Sequence, residues 1–254
     1  MQKEQVIFQD LGQMEYKTAW DYQEKLLQET VRKKSAVRSQ QSAVINQQSS
    51  DNAGFQIETT ANQELPTEHY LLLVEHPPVY TLGKSGNENN LLINENEREE
   101  KGVQYFKINR GGDITFHGPG QIVGYPILDL EKFYTDIGKY LRNIEETIIL
   151  TLAEYGIRAG RSPGETGVWI DADIKGKERK ICAIGVRTSR WITMHGFALN
   201  ANTDLSFFNN IIPCGIQNKQ VTSIEQELGR KIDVEEAKEK VKRNFEKVFD
   251  VDLI

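Results

Sequence analysis

The chain of 254 residues is short of cysteine, with Cys182 and Cys214 alone, and of proline, with seven. Two cysteines 32 positions apart, in a chain that reads as intracellular, exclude a disulfide framework and leave each thiol to be explained by itself. No apolar run approaches the roughly 18 residues of a membrane-spanning helix. The longest are short stretches such as Tyr70-Leu71-Leu72-Leu73-Val74. The opening residues, Met1-Gln2-Lys3-Glu4-Gln5, lack the apolar stretch and small-residue cleavage site of a secretion signal, so a cytoplasmic protein is expected. Positive charge is also in deficit. A net charge of −6 argues against a general nucleic-acid binder, which normally carries a basic footprint. Neither CxxC nor HxxxH spacing occurs to suggest a metal site.

The apolar residues that are present fall into periodic groups. Trp20, Leu26, Leu27 and Val31 suggest a helix from about Tyr16 to Lys34. Residues 35–66 are rich in Gln, Ser, Asn and Thr with apolar residues only singly, too little to offset the entropy of ordering them, and read as a mobile insertion. Tyr70–Glu75 and Val79–Leu82 read as strands about the Pro77-Pro78 turn, followed by strands at Val103–Ile108 and Ile122–Leu130. Ile137, Leu141, Ile144, Ile148, Leu152 and Tyr155 recur at helical steps up to Gly156. Three more strands are expected at Gly167–Asp171, Lys180–Arg187 and Trp191–Asn200, and a last amphipathic helix through Val234, Ala237, Val241, Phe245 and Val248. Grouped strands with helices between and around them predict an α+β fold, a mixed sheet flanked by helices, as one domain over residues 1–254.

Four segments have the composition of a site. Arg110-Gly111-Gly112-Asp113-Ile114-Thr115-Phe116-His117-Gly118-Pro119-Gly120-Gln121 lies between two strands, and its glycines let backbone amides approach a ligand closely. It is neither a P-loop nor a dinucleotide fingerprint, and an elaborate hairpin turn fits it as well. His117 within it fits a base, a ligand or a hydrogen-bonded structural histidine. Pro213-Cys214-Gly215 places a thiol on a tight turn, where a reactive and an inert cysteine are both tenable. In Arg179–Arg187, strand alternation puts Lys180, Cys182, Ile184 and Val186 on one face. Lys180 then reads either as a surface charge or as an ammonium that lowers a thiol pKa, with Cys182 as the rival nucleophile. Met194–Asn200 suits the wall of an apolar channel or an ordinary sheet interior. The basic run Lys175–Lys180, with Arg158, Arg161, Arg187 and Arg190 near it in sequence, fits a solvated hairpin tip or a docking patch for an acidic protein.

Taken together, these segments resemble the lipoyl(octanoyl) transferases from about Leu65 to Leu228. The most specific part is the Arg110–Gln121 run, which is similar to the family's Arg-Gly-Gly, two variable positions, Thr, an aromatic and His-Gly-Pro-Gly-Gln. Glu75–Gly83, Gly167-Val168-Trp169 and His195–Asn202 leading to Pro213-Cys214-Gly215 are also similar. The resemblance implies the fold of the biotin- and lipoate-protein ligase catalytic domains. It places the acyl-thioester cysteine on Cys214 and its lysine partner on Lys180. Substrate contacts fall on Arg110, Gly111, Gly112, Asp113, Ile114, Thr115, Phe116 and His117, on Ala183, Ile184 and Gly185, and on Gly196, Phe197 and Ala198. It implies a monomer needing no metal or cofactor, with octanoyl-acyl carrier protein as donor. The acceptors implied are lipoyl domains of 2-oxoacid dehydrogenase E2 subunits and the glycine cleavage H protein, with no nucleic acid or membrane involved. Two features depart from the family pattern: Cys182, where a small residue such as Ala is usual, and the length of residues 35–66. An ATP-dependent lipoate-protein ligase of the same fold, a non-catalytic carrier-protein binder and a cysteine hydrolase are the alternatives.

Overall fold

A computed structural model describes residues 3–48, 67–212 and 220–254. The chain opens with β1 (Glu4–Gln13) and α1 (Tyr16–Gln48), then β2 (His69–Glu75) and β3 (Val79–Leu82). A short helix α2 (Glu95–Glu100), capped by Asn94, leads into β4 (Gln104–Lys107), β5 (Ile114–His117) and β6 (Gln121–Ile127). After α3 (Ile137–Ala153) come β7 (Ala159–Gly160), β8 (Val168–Ile170), β9 (Arg179–Ser189) and β10 (Ile192–Asn200). The chain closes with β11 (Gln220–Val221), α4 (Ile224–Leu228), α5 (Val234–Phe249) and β12 (Val251–Leu253).

The main sheet is mixed, in the order β12-β1-β2-β6-β10-β9-β8-β7. Its central strands read as unbroken apolar runs because both faces are covered. Along β2, Leu71 and Leu73 join the core under α3 and α5, whereas Tyr70, Leu72 and Val74 join the core under α1. The periodic apolar residues of α3 and α5 pack on the first face, as their spacing predicts. A second sheet, β4-β3-β5, closes over the end of α1, with Phe116 and Tyr80 in its own small core. The expected α+β architecture is therefore present, with two sheets among the described residues.

Some expectations need correction. Helix α1 continues to Gln48, well into the segment read as unstructured. Low apolar content removes a packed face, but residues 35–48 contain neither Gly nor Pro, and half of them are Gln, Ala or Arg, which favour helix. The root of this extension is tied down, since Lys34 pairs with buried Asp129 at 2.5 Å and donates to the Arg190 carbonyl at 3.0 Å. The glycine-rich segment holds a strand, β5, paired with β3 from Leu82↔Ile114 to Val79↔His117. Strand β1 also stands where no element was expected, paired on one edge with β2 and on the other with β12.

Candidate active site

Strands β6, β10 and β9 run side by side, and where they meet the glycine-rich loop the side chains are missing. Gly196 on β10 pairs with Gly185 on β9. A methyl group on Gly185 would stand 2.9 Å from the Gly111 carbonyl oxygen and 3.0 Å from Cδ of Arg110. On Gly196 it would meet the Gly124 carbonyl oxygen at 2.1 Å. Glycine here permits close approach of backbone to backbone, and the Gly111 N–H seals the contact by donating to Val186 O at 3.0 Å. Beside it lies a cavity of about 480 Å³, a volume within the range of small-molecule sites. Its apolar walls include Val123, Leu141, Ile184, Val186, Phe197 and Ala198.

Lys180 stands in that wall. Its strand partners are Trp169 of β8 on one side and Val221 of β11 on the other. The β8–β9 register shifts at this point, with Trp169 opposite Lys180 but Val168 opposite Cys182, so Ile181 is an extra residue. A bulge of this kind re-aims side chains. It breaks the alternation that would have put Lys180 and Cys182 on one face. Lys180 turns to the cavity, with Nζ 4.5 Å from the centre of the Trp169 ring, while Cys182 is fully buried in the core under α3 and α5. Burial pushes the Cys182 thiol well above its ordinary pKa, against smaller opposing effects of a backbone hydrogen bond and of Lys180. Cys182 is thus placed as a core residue, away from the cavity.

The polar end of the cavity is built on Arg110, which is buried and donates to the carbonyl and hydroxyl of Thr81 at 2.8 and 3.0 Å. The Thr81 hydroxyl lies 3.4 Å from His117 Nε2, and His117 Nδ1 is 2.8 Å from Gln121 Oε1, which makes Nδ1 the protonated nitrogen. Gln121 passes the chain to Asn200 at 2.8 Å, and Asn200 to the Thr222 carbonyl at 2.9 Å. Burial, reinforced by His76 and Arg110, lowers His117 to about 3. His195 is held by Asn109 Oδ1 at 3.1 Å and is likewise lowered to about 3 by burial and by Arg110 and Arg187. Both imidazoles are neutral hydrogen-bonded structural groups. Among the described residues no three His, Cys, Asp or Glu side chains cluster as metal ligands would.

The cavity brings together Arg110–Thr115, His117, Lys180, Ala183–Gly185 and Gly196–Ala198. Among the expected substrate contacts, Phe116 alone turns away, stacking on Phe207 at 4.6 Å in the core of the small sheet. Along β5, Thr115 and His117 face the cavity and Phe116 faces the opposite way, while Ile114, which shares the core of Phe116, still touches the cavity at the start of the strand. Asp113 is spent on the neighbouring turn, accepting from Ile114 N at 2.7 Å and Asn90 Nδ2 at 2.6 Å. Cys214 lies outside the described residues. The chain that follows it re-enters at β11, where Val221 pairs with Lys180. Sequence reasoning missed Tyr16 and Tyr125, which also line the cavity and come from α1 and β6. A lone tyrosine in a helical or strand pattern carries no signal of such a role. Within the basic run Arg179 pairs with Glu227 and Asp171, and of the arginines near it in sequence Arg161 pairs with Glu145 and Glu146 and Arg187 with Glu24.

Against known proteins, the lipoyl protein ligase A/B catalytic domain family matches residues 51–246. The chain belongs to that family. It is 55% identical to the octanoyltransferase of Flavobacterium johnsoniae over 97% of each chain. It is 54% identical to that of Christiangramia forsetii over 100% of this chain and 99% of the relative. Among solved structures, the bipartite lipoate protein ligase of Thermoplasma acidophilum aligns with a TM-score of 0.63 at 15% identity, covering 100% of this chain and 86% of that one. A lipoate-protein ligase A bound with ATP aligns equally well at 13% identity, covering 100% and 88%. At such identities the likeness shows the shared fold alone. In this family member the fold has placed the glycine-rich loop, the paired glycines of β9 and β10, and Lys180 around one cavity.

Proposed function

We propose that this chain is a cytoplasmic octanoyltransferase of protein lipoylation, moving the acyl group from acyl carrier protein to a lipoyl-domain lysine through a thioester on Cys214. The observation that carries the reading is Lys180, aimed by a bulge into an apolar cavity and paired through its backbone with the strand that follows Cys214. In the first step the Cys214 thiolate attacks the donor thioester carbonyl. The carbon–sulfur bond to pantetheine breaks, and the Lys180 ammonium protonates the departing sulfur. In the second step the acceptor lysine amine attacks the acyl-enzyme carbonyl, the bond to Cys214 breaks, and neutral Lys180 takes the amine proton. Exchange of one thioester for another is nearly neutral, so positioning and thiolate supply carry the first step. At about 0.8 kcal/mol per buried methylene, an octanoyl chain along the cavity walls contributes several kcal/mol of binding. The backbone amides of Gly112 and near Gly185 are candidate donors to the oxyanion, the Gly111 N–H being held by Val186 O.

The test is intact-protein mass spectrometry after incubation with octanoyl-acyl carrier protein and no ATP. One octanoyl adduct on the natural chain, absent from Cys214→Ser and present on Cys182→Ala, is expected. Full acyl transfer by Cys214→Ser, or transfer that requires ATP, overturns the reading.

A further inference from the structure

We propose that Trp169 is a positioning residue for acyl transfer, its ring face holding the Lys180 ammonium at the cavity. The inference rests on the reading of Lys180 as the acid–base group. Trp169 and Lys180 are directly opposed across the antiparallel β8–β9 pair, so their side chains leave the sheet side by side. The ammonium nitrogen sits 4.5 Å from the ring centre, within the range at which the ring quadrupole attracts a cation. Trp169 is only 2% exposed, and a ring so enclosed has no freedom to follow a moving lysine.

The lysine stem is guided as well. It lies along Gly167, where a methyl group would stand 3.4 Å from Lys180 Cε and 3.6 Å from Cδ. That glycine has φ of +129° and a Cβ there would lie 2.7 Å from the Cys182 carbonyl oxygen, so no side chain can take the lysine's channel. The Gly167 N–H donates at 3.0 Å to the fully buried carboxylate of Glu145, which fixes this wall to α3. A lysine has four side-chain torsions and a compact, strongly hydrated charge. Confined between Gly167 and the indole, Lys180 keeps one path to the cavity. The ring attracts the ammonium and not the neutral amine, so it presents the proton-donating form to the departing sulfur. A tryptophan that merely filled space would be indifferent to the electron density of its ring.

The test exploits that difference. The chain holds three tryptophans, so in a Trp20→Phe, Trp191→Phe background the remaining one is Trp169. Biosynthetic replacement with mono-, di- and trifluorotryptophan weakens the ring's negative face with little change of shape. The expected result is a stepwise fall in kcat for octanoyl transfer, several-fold at the trifluoro stage, with KM for the octanoyl thioester unchanged. A flat kcat across the series overturns the inference. Trp169→Phe, which keeps a ring, should stay within a few-fold of the parent, and Trp169→Leu should fall at least tenfold; equal activities overturn it. Lys180→Met separates the two layers. If that variant is inactive while the fluorinated series is flat, only the role of Trp169 fails. If it is fully active, the reading of Lys180 fails and the inference goes with it.

Discussion

A thiol is a nucleophile only as thiolate and only where a substrate can reach it, and on both counts the environment of Cys182 is unfavourable. It has no exposure, its pKa is pushed up by burial, and its Sγ is 3.6 Å from the neighbouring Ala183 carbonyl oxygen. Cys182→Ala should therefore leave the octanoyl adduct and the transfer rate unchanged. It should lower the unfolding free energy by about 1 kcal/mol for the lost packing, read from a urea titration. Loss of the adduct in this variant would return the chemistry to β9. The residue types of the site were legible in the sequence, because glycine-rich and Pro-Cys-Gly segments are compositionally unusual. Their orientation was less so. Lys180 and Cys182 are two apart and alternation puts them together, whereas one inserted residue, Ile181, separates them. A bulge leaves little trace in composition, so that separation needed the structure.

The element that holds this geometry is α3, through Glu145. Its carboxylate is fully buried and accepts from Arg142 at 2.6 Å, from Arg161 at 2.9 Å and from the Gly167 N–H at 3.0 Å. Removing a buried ion's partner strands the remaining group, which is costlier than the pair is worth. Glu145→Ala leaves the Gly167 N–H buried without its acceptor, while the half-exposed arginines can rehydrate. A loss of about 2–3 kcal/mol in stability is expected, with a larger fall in kcat than in affinity for the donor, since the wall beside Lys180 loosens. A kcat unchanged in a destabilised enzyme would detach α3 from the site. Gly185→Ala should act on the opposite wall. Its methyl meets the Gly111 carbonyl, a backbone atom, so the glycine-rich loop must lift and donor KM should rise at least tenfold. The elements themselves were unevenly legible. Helices α3 and α5 and strands β2 and β10 bury whole faces, and their apolar spacing shows it. Strands β1 and β5 hold their places through pairing with distant strands, which local pattern does not reveal. Helix α1 beyond Lys34 was hidden for another reason, since its residues have helix propensity but too few apolar groups to mark a period.

At the scale of the whole molecule, the two sheets and α1 meet on a cluster of neutral histidines. His76, beyond β2, is 2.7 Å from the Met14 carbonyl and 2.7 Å from the Tyr125 hydroxyl, and stacks edge-on to Tyr16. His117 belongs to the small sheet and His195 to the large one, and the His195 N–H donates to buried Gln23 of α1 at 3.0 Å. Burial lowers His76 to about 4, and His117 and His195 to about 3. In the unfolded chain each should titrate near 6.5. Between roughly pH 6.5 and 4 the unfolded chain therefore binds up to three protons at these positions that the folded chain refuses, and His69, lowered by burial as well, acts in the same direction. Unfolding is favoured as pH falls, and stability is fully present only above about 6.5. Each proton steepens the fall by about 1.4 kcal/mol per pH unit, so these three alone bring the slope to about 4 kcal/mol per unit near pH 5. The carboxylates with lowered pKa, Glu68, Glu154, Glu227 and Asp204, act in the same direction but below their ordinary values of 4.5 and 3.8, so the window from 6.5 to 5 isolates the histidines. Urea midpoints measured from pH 8 to 5 should be flat above pH 7 and fall steeply below 6, and His117→Gln should reduce the slope by about 1.4 kcal/mol per pH unit. A stability unchanged from pH 7 to 5 would mean that the cluster accepts protons while folded, and the joint between the two sheets would then have to tolerate buried charge beside Arg110.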